Sequence, residues 1–154
     1  MKIETLRDQL RQPGARLGIG VWLMPMEYLG KEETIAVRLG VQALDARQAY
    51  LDNLPEGAQF SGLTAPEGYQ NLTRLMRDLS QRIHRRNCLL VHTLDLLLLA
   101  LEVNERDLFW HEALHGLPYP RTRLILAVPE KAPALFSYDL RRRYAPQIAE
   151  GSLE

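Results

Sequence analysis

The chain has a single cysteine, no long apolar run and no excess of charge of either sign, and each shortage excludes a class of protein. Cys88 alone cannot form a disulfide within the chain, which is typical of proteins from a reducing compartment. The longest apolar run, residues 94–101, is interrupted by Asp95 and is too short to cross a membrane. The first residues include acids and no apolar signal core, so secretion is not indicated. We therefore predict a cytoplasmic protein that does not insert into a membrane.

Apolar segments of strand length alternate with amphipathic helices along the 154 residues, a length that suits one domain. The segments RLGIGVWLMP, CLLVH and RLILAVP lack polar alternation, which indicates strands buried on both faces. This pattern predicts a single α/β domain over 1–154. Its expected architecture is a three-layer sandwich, with a mostly parallel sheet covered by helices on both faces.

Helical spacing of apolar residues, together with capping residues, sets the expected helix limits. The main helices are expected over the ranges 31–39, 68–87, 105–116 and 132–144. Gly40 is expected to end the first of these helices as a left-handed cap. Asn104 is expected to cap the third helix and Gly116 to end it. A loop rich in glycine and proline is expected over 55–68.

The sequence WHEALHG contains H-E-x-x-H, a pattern typical of zinc hydrolases. His111 and His115 would share a helix face and bind one zinc ion, with Glu112 as the general base that activates the metal-bound water. A third protein ligand is required, and the other two histidines precede the motif. Gly116 also ends the predicted helix directly after His115. We favour a surface helix with histidines near its C-terminal end, and a zinc hydrolase is the alternative.

A second pattern lies where the first strand meets a helix, in the stretch PMEYLGKEE. Gly30 and Lys31 stand where the G-K of a phosphate-binding P-loop would stand, and this position makes them candidate phosphate ligands. Pro25 replaces the first glycine of that motif and has no N–H to donate. Glu32 replaces the Ser or Thr that would hold magnesium.

The stretch CLLVHTLDLL has the form of a Walker B strand, but His92 stands where the motif has its acid. The nearest carboxylate is Asp95. The helix and the strand RLILAVP that follow are similar in order to the helix and sensor strand of AAA+ ATPases of the initiator class. In length and layout, the chain resembles the small P-loop-type protein of BREX-like phage-defence operons.

That resemblance implies a P-loop NTPase-like topology and a role as partner or regulator in a larger defence complex. The departures at Pro25, Glu32 and His92 imply a non-catalytic scaffold without ATP hydrolysis. At most, the resemblance implies weak phosphate binding through Lys31.

Arginine supplies most of the 19 positive charges, since lysine occurs only at positions 2, 31 and 131. Arg141, Arg142 and Arg143 form a basic cluster near the end of a predicted helix, where positive charge complements the helix dipole. The same cluster could contact nucleic-acid phosphates or an acidic protein surface. The formal net charge of +0 gives no overall attraction for nucleic acid.

These observations predict a non-catalytic, P-loop-like accessory protein that acts by protein–protein contacts in a multi-component system such as phage defence. No cofactor is expected for that function. One alternative is a small zinc-dependent hydrolase that uses His111, Glu112 and His115. The other is a nucleic-acid-binding accessory protein. ATP with magnesium would be the cofactor only if the chain bound a nucleotide. Zinc would be the cofactor only if the chain were a hydrolase.

Overall fold

A computed structural model describes residues 1–15, 18–53, 68–115, 117 and 120–154. Its centre is a sheet of five strands in the order β2-β3-β4-β1-β5. The strands are β1 (Ile19–Met24), β2 (Gln42–Asp45), β3 (Cys88–His92), β4 (Arg123–Pro129) and β5 (Ile148–Glu150). Every pairing is parallel, as the apolar strands predicted. The carboxyl ends of all the strands therefore lie along one edge.

Helices cover both faces of this sheet, and the predicted three-layer sandwich is confirmed. The helices are α1 (Ile3–Arg11), α2 (Glu32–Leu39), α3 (Ala46–Asp52), α4 (Gly68–Gln81), α5 (Asp95–Leu99), α6 (Val103–Leu114) and α7 (Tyr138–Arg143). Trp22 and Leu90 face α1 and α2, in the smaller of two apolar cores. Val21 and Val91 face the larger core, which also contains apolar side chains from α3 to α7. Along the described residues, no helix is long and apolar enough to cross a membrane.

The strand and cap predictions that rest on a strong local signal are confirmed. The strands CLLVH and RLILAVP have the predicted limits. Gly40 ends α2 with a φ of 70°, a left-handed conformation that glycine adopts without steric cost. The predicted loop over 55–68 lies outside the described residues except at Gly68, which begins α4, and the predicted helix end at Gly116 also lies outside them.

Three helices differ from their predicted limits by two residues or more. Helix α4 ends at Gln81 rather than residue 87, and His84 Nε2 donates to the Leu79 carbonyl near that end, 2.9 Å away. Helix α6 begins at Val103 with Glu102 at the cap position, so the prediction that Asn104 caps it was wrong. The last helix covers only Tyr138–Arg143, because Ser137 caps it by accepting a hydrogen bond from the Leu140 N–H.

Candidate functional site

The carboxyl edge of the sheet has one place where the connections diverge. The chain leaves β1 toward α2 on one face, whereas it leaves the adjacent β4 toward α7 on the other face. In open parallel sheets, ligands bind in the crevice that opens at such a switch point. The loop over 25–31, the end of β3 and the start of α7 all lie on this edge, so each is a candidate site.

The loop over 25–31 contains the predicted phosphate ligands, but four of its N–H groups already have partners within the chain. The Tyr28, Leu29 and Lys31 N–H groups donate to backbone carbonyls at 2.9–3.2 Å. The Gly30 N–H donates to Glu32 Oε1 at 3.2 Å. The Glu32 carboxylate therefore takes the place that a phosphate oxygen would need. Lys31 is exposed at the start of α2.

The same loop is held in place by the last residues of the described chain. Ser152 Oγ donates to Glu27 Oε1 at 2.5 Å, and the Leu153 N–H donates to the Tyr28 hydroxyl at 3.1 Å. The Tyr28 ring also packs against Trp22, with ring centroids 5.7 Å apart. These contacts hold the loop in the conformation in which the N–H groups of residues 28–31 are bonded within the chain.

The end of β3 carries a strained residue beside the predicted Walker B-like position. Thr93 has a φ of 61°, which is unfavourable for a β-branched side chain. Its hydroxyl lies 2.7 Å from His92 Nδ1. His92 lies opposite Asp45 in the sheet register, and Asp95 is the first residue of α5. His92 and Asp95 therefore lie at the carboxyl edge, beside a residue with strained backbone. Such strained residues are common in functional sites.

A pocket of about 340 Å³ opens between α7 and the ends of β1, β4 and β5. Its charged lining consists of Glu130, Lys131, Arg141 and Glu150. Sequence reasoning missed this pocket, because its residues come together only through the strand order. The one available signal was the charged pair Glu130-Lys131 directly after a buried strand.

The predicted basic cluster does not form one patch. Arg141 lines the pocket and donates from Nη2 to the Glu130 carbonyl at 2.7 Å. Arg142 is exposed and pairs with Asp139 at 3.7 Å. Arg143 Nη1 lies 3.5 Å from His111 Nε2. Successive helical residues point about 100° apart, and the three side chains accordingly diverge.

The histidines of H-E-x-x-H lie on α6 and its cap, next to the buried Tyr144. The Tyr144 hydroxyl lies 2.7 Å from His111 Nδ1 and 3.3 Å from His115 Nδ1. His115 Nδ1 also lies 2.7 Å from the His111 carbonyl. A carbonyl only accepts, so this nitrogen carries a proton and cannot bind a metal while it does so.

The Nε2 atoms of these histidines are the nitrogens left for a metal, but their surroundings do not complete a zinc site. An open pocket of about 500 Å³ is lined by Arg77, His111, Glu112 and His115. The Arg143 guanidinium stands beside His111 Nε2, where it would repel a cation. Over the described part of the chain, no group of three His, Cys, Asp or Glu residues could hold a metal. These residues therefore do not supply the three protein ligands that catalytic zinc requires.

Helices α5 and α6 expose an apolar surface next to the carboxyl edge. Leu96, Leu99 and Val103, which we call the α5–α6 surface, are 46%, 51% and 70% exposed. Leu96 and Leu99 lie on one side of α5, because residues three apart are neighbours on a helix. Arg106 holds the end of α5 in place by donating to its carbonyl groups.

The chain matches no protein-family model, and no curated protein or solved structure shows significant similarity to it. The resemblance to the small protein of BREX-like operons consequently stays a prediction.

Proposed function

We propose that the chain is a non-catalytic, P-loop-like accessory protein that binds another protein through the α5–α6 surface. The observation that carries the proposal is the group of three exposed apolar side chains on that surface. Apolar side chains clustered on a surface are typical of sites that bind proteins. The setting in a multi-component system such as phage defence rests on the sequence resemblance alone.

The strand order supports the P-loop-like part of the proposal. In this sheet, β1 lies between β4 and β5, whereas the two common doubly wound orders place β1 next to β2. The order β5-β1-β4-β3-β2 is the one that the resemblance to AAA+ ATPases implies. The loop over 25–31 then occupies the position of a phosphate-binding loop.

The contacts of that loop support a non-catalytic function. Phosphate binding by a P-loop needs backbone N–H groups that are free to face the anion. Here, the Glu32 carboxylate accepts the hydrogen bond of the Gly30 N–H and adds a negative charge at the same place. His92 stands where an ATPase would use a carboxylate, and an imidazole cannot replace a carboxylate as a magnesium ligand.

The charges around the α5–α6 surface define the chemistry of the partner. Three acids, Asp95, Glu102 and Asp107, occur along the same segment as the apolar side chains. The Oε2 atom of Glu105 is buried and has no partner among the described residues. Arg106 is occupied by backbone carbonyl groups. The partner is therefore an apolar segment flanked by lysine or arginine, because those charges complement the acids of this segment.

The test compares affinity purification with three forms of the protein in the native host. The forms are the wild type, a Leu96→Ser, Leu99→Ser double variant, and a Val37→Ser control that changes an exposed apolar residue on α2. The proposal predicts one protein with a basic, apolar segment that the double variant loses and the control retains. Direct binding of the purified pair, weakened at high salt, then verifies the contact.

Two results would contradict the proposal. One is a partner that binds the double variant as tightly as the wild type, provided that circular dichroism shows both to be folded. The other is magnesium-dependent ATP turnover by the purified wild type that disappears in a Lys31→Ala variant.

A further inference from the structure

We propose that the pocket between α7 and the ends of β1, β4 and β5 binds a free α-amino acid with an apolar side chain. This inference does not depend on the proposed function, because it concerns a different part of the carboxyl edge. The pocket lies beside the switch point between β1 and β4, where ligands of open parallel sheets bind. Its volume of about 340 Å³ falls in the range of small-molecule sites.

The charged residues of this pocket point to a zwitterion. Two acids, Glu130 and Glu150, and two bases, Lys131 and Arg141, line the same space. None of these four side chains takes part in the ion pairs found among the described residues. Opposite charges that remain unpaired in one pocket can pair with the two ends of a ligand that is itself neutral overall. A simple anion would meet two carboxylates, and a simple cation would meet two bases.

Arg141 is the group that would hold the carboxylate. Its Nη2 donates to the Glu130 carbonyl at 2.7 Å, and its guanidinium lies over the Tyr138 ring, 5.1 Å from the centroid. Both contacts fix the orientation of the guanidinium. Its Nε is buried and out of reach of the pocket, so a ligand carboxylate would pair with the outer nitrogens of the guanidinium in a charge-assisted hydrogen bond.

Glu150, which also lines the pocket, would be the partner of the ammonium group. Glu150 ends β5 and lies opposite Leu23 in the sheet register. Pro133 and the exposed Tyr138 ring add apolar surface to the lining, where an aliphatic side chain can pack. The carboxylate, the ammonium group and the side chain of an α-amino acid each then have a complementary partner.

The test titrates the full-length protein with L-leucine and follows backbone amide signals by NMR. Two analogues each lack one charge: 4-methylpentanoate has no ammonium group, and 3-methylbutylamine has no carboxylate. We expect saturable leucine binding that shifts the signals of residues 130, 131, 138 and 141. We also expect each analogue to bind about tenfold more weakly or worse, since each loses a charged hydrogen bond.

Three variants assign the charges. Arg141→Gln is expected to weaken leucine binding about tenfold or more. Glu150→Gln, which removes no internal ion pair of the described structure, is expected to bind leucine and 4-methylpentanoate equally. Arg142→Gln, on the same helix but outside the pocket lining, is expected to bind leucine like the wild type.

The proposal is overturned if leucine produces no saturable shift at millimolar concentration. Equal binding of leucine and 4-methylpentanoate to the wild type would also overturn it, because the ammonium group would then have no partner. Equal losses of leucine affinity in the Arg141→Gln and Arg142→Gln variants would overturn it as well. The effect of Arg141 would then come from the overall charge of the protein and not from a contact in the pocket.

Discussion

Replacing Arg106 tests whether one guanidinium holds the α5–α6 surface in its shape. Its Nε donates to the Leu98 and Leu101 carbonyls at 2.7 and 3.1 Å. Its two Nη atoms donate to the Ala134 and Leu99 carbonyls at 3.1 and 3.3 Å. Arg106 therefore donates to carbonyl groups at the end of α5, of which the Leu98 carbonyl also accepts from the Leu101 N–H at 3.1 Å.

Arg106→Met keeps most of the apolar stem and removes all of these hydrogen bonds. A hydrogen bond from a charged donor contributes about 1.5–3 kcal/mol, but Arg106 is partly exposed and water replaces some of the lost contacts. We therefore expect the free energy of unfolding to fall by about 2–3 kcal/mol in total. Arg106→Lys should lose nearly as much, because one ammonium group cannot reach the same set of carbonyls.

The assay is urea unfolding followed by tryptophan fluorescence, with Arg38→Met as the control at an exposed arginine on α2. Hydrogen exchange should locate the effect, with faster exchange in α5 than in the strands. The reasoning is refuted if Arg106→Met costs less than about 0.5 kcal/mol, the range of ordinary surface changes. A loss equal to that of Arg38→Met would refute it as well.

Three further predictions concern the core, the cysteine and the histidine pair. Trp110 is fully buried and donates from Nε1 to the Leu135 carbonyl at 2.7 Å. Trp110→Phe should therefore lower the free energy of unfolding, measured with urea, by about 2 kcal/mol. An unchanged urea midpoint would contradict this. Burial raises the pKa of the Cys88 thiol to about 11. As the pH rises, the unfolded chain therefore loses this proton before the folded chain does. Between about pH 8.5 and 11, the free energy of unfolding should fall more steeply with pH in the wild type than in Cys88→Ala. Equal slopes in the two proteins would contradict the burial of the thiol. Elemental analysis should find zinc well below stoichiometric amounts, whereas stoichiometric zinc that is lost in a His111→Ala, His115→Ala variant would favour the hydrolase.

Strands and caps were predictable wherever the local signal was strong. CLLVH and RLILAVP have the predicted limits, because a strand buried on both faces needs apolar residues at every position. Gly40 was predictable because few other residues adopt a left-handed cap. Asn104 was not the cap of α6, since capping residues also occur within first turns and the sequence does not show which residue begins the helix.

The site was less predictable, because it depends on which strands are neighbours. β1 pairs with β4 and β5, which follow it by more than a hundred residues, and no local pattern encodes that order. The pocket around Arg141 follows from the order and could not be found from a motif. The G-K pattern drew attention to Gly30 and Lys31 where the chain enters α2, but the hydrogen bond from Gly30 to Glu32 depends on a side-chain conformation that the pattern does not specify.

The most direct measurement is a titration of the purified protein with magnesium and ATP, followed by calorimetry and by the amide signals of residues 25–31. Because the N–H groups of residues 28–31 are already bonded within the chain, we predict no saturable heat and no shift of the Gly30 signal. Saturable binding that moves the Gly30 signal and disappears in Lys31→Ala would show that the loop opens to hold phosphate, and would contradict the account in which Glu32 closes it.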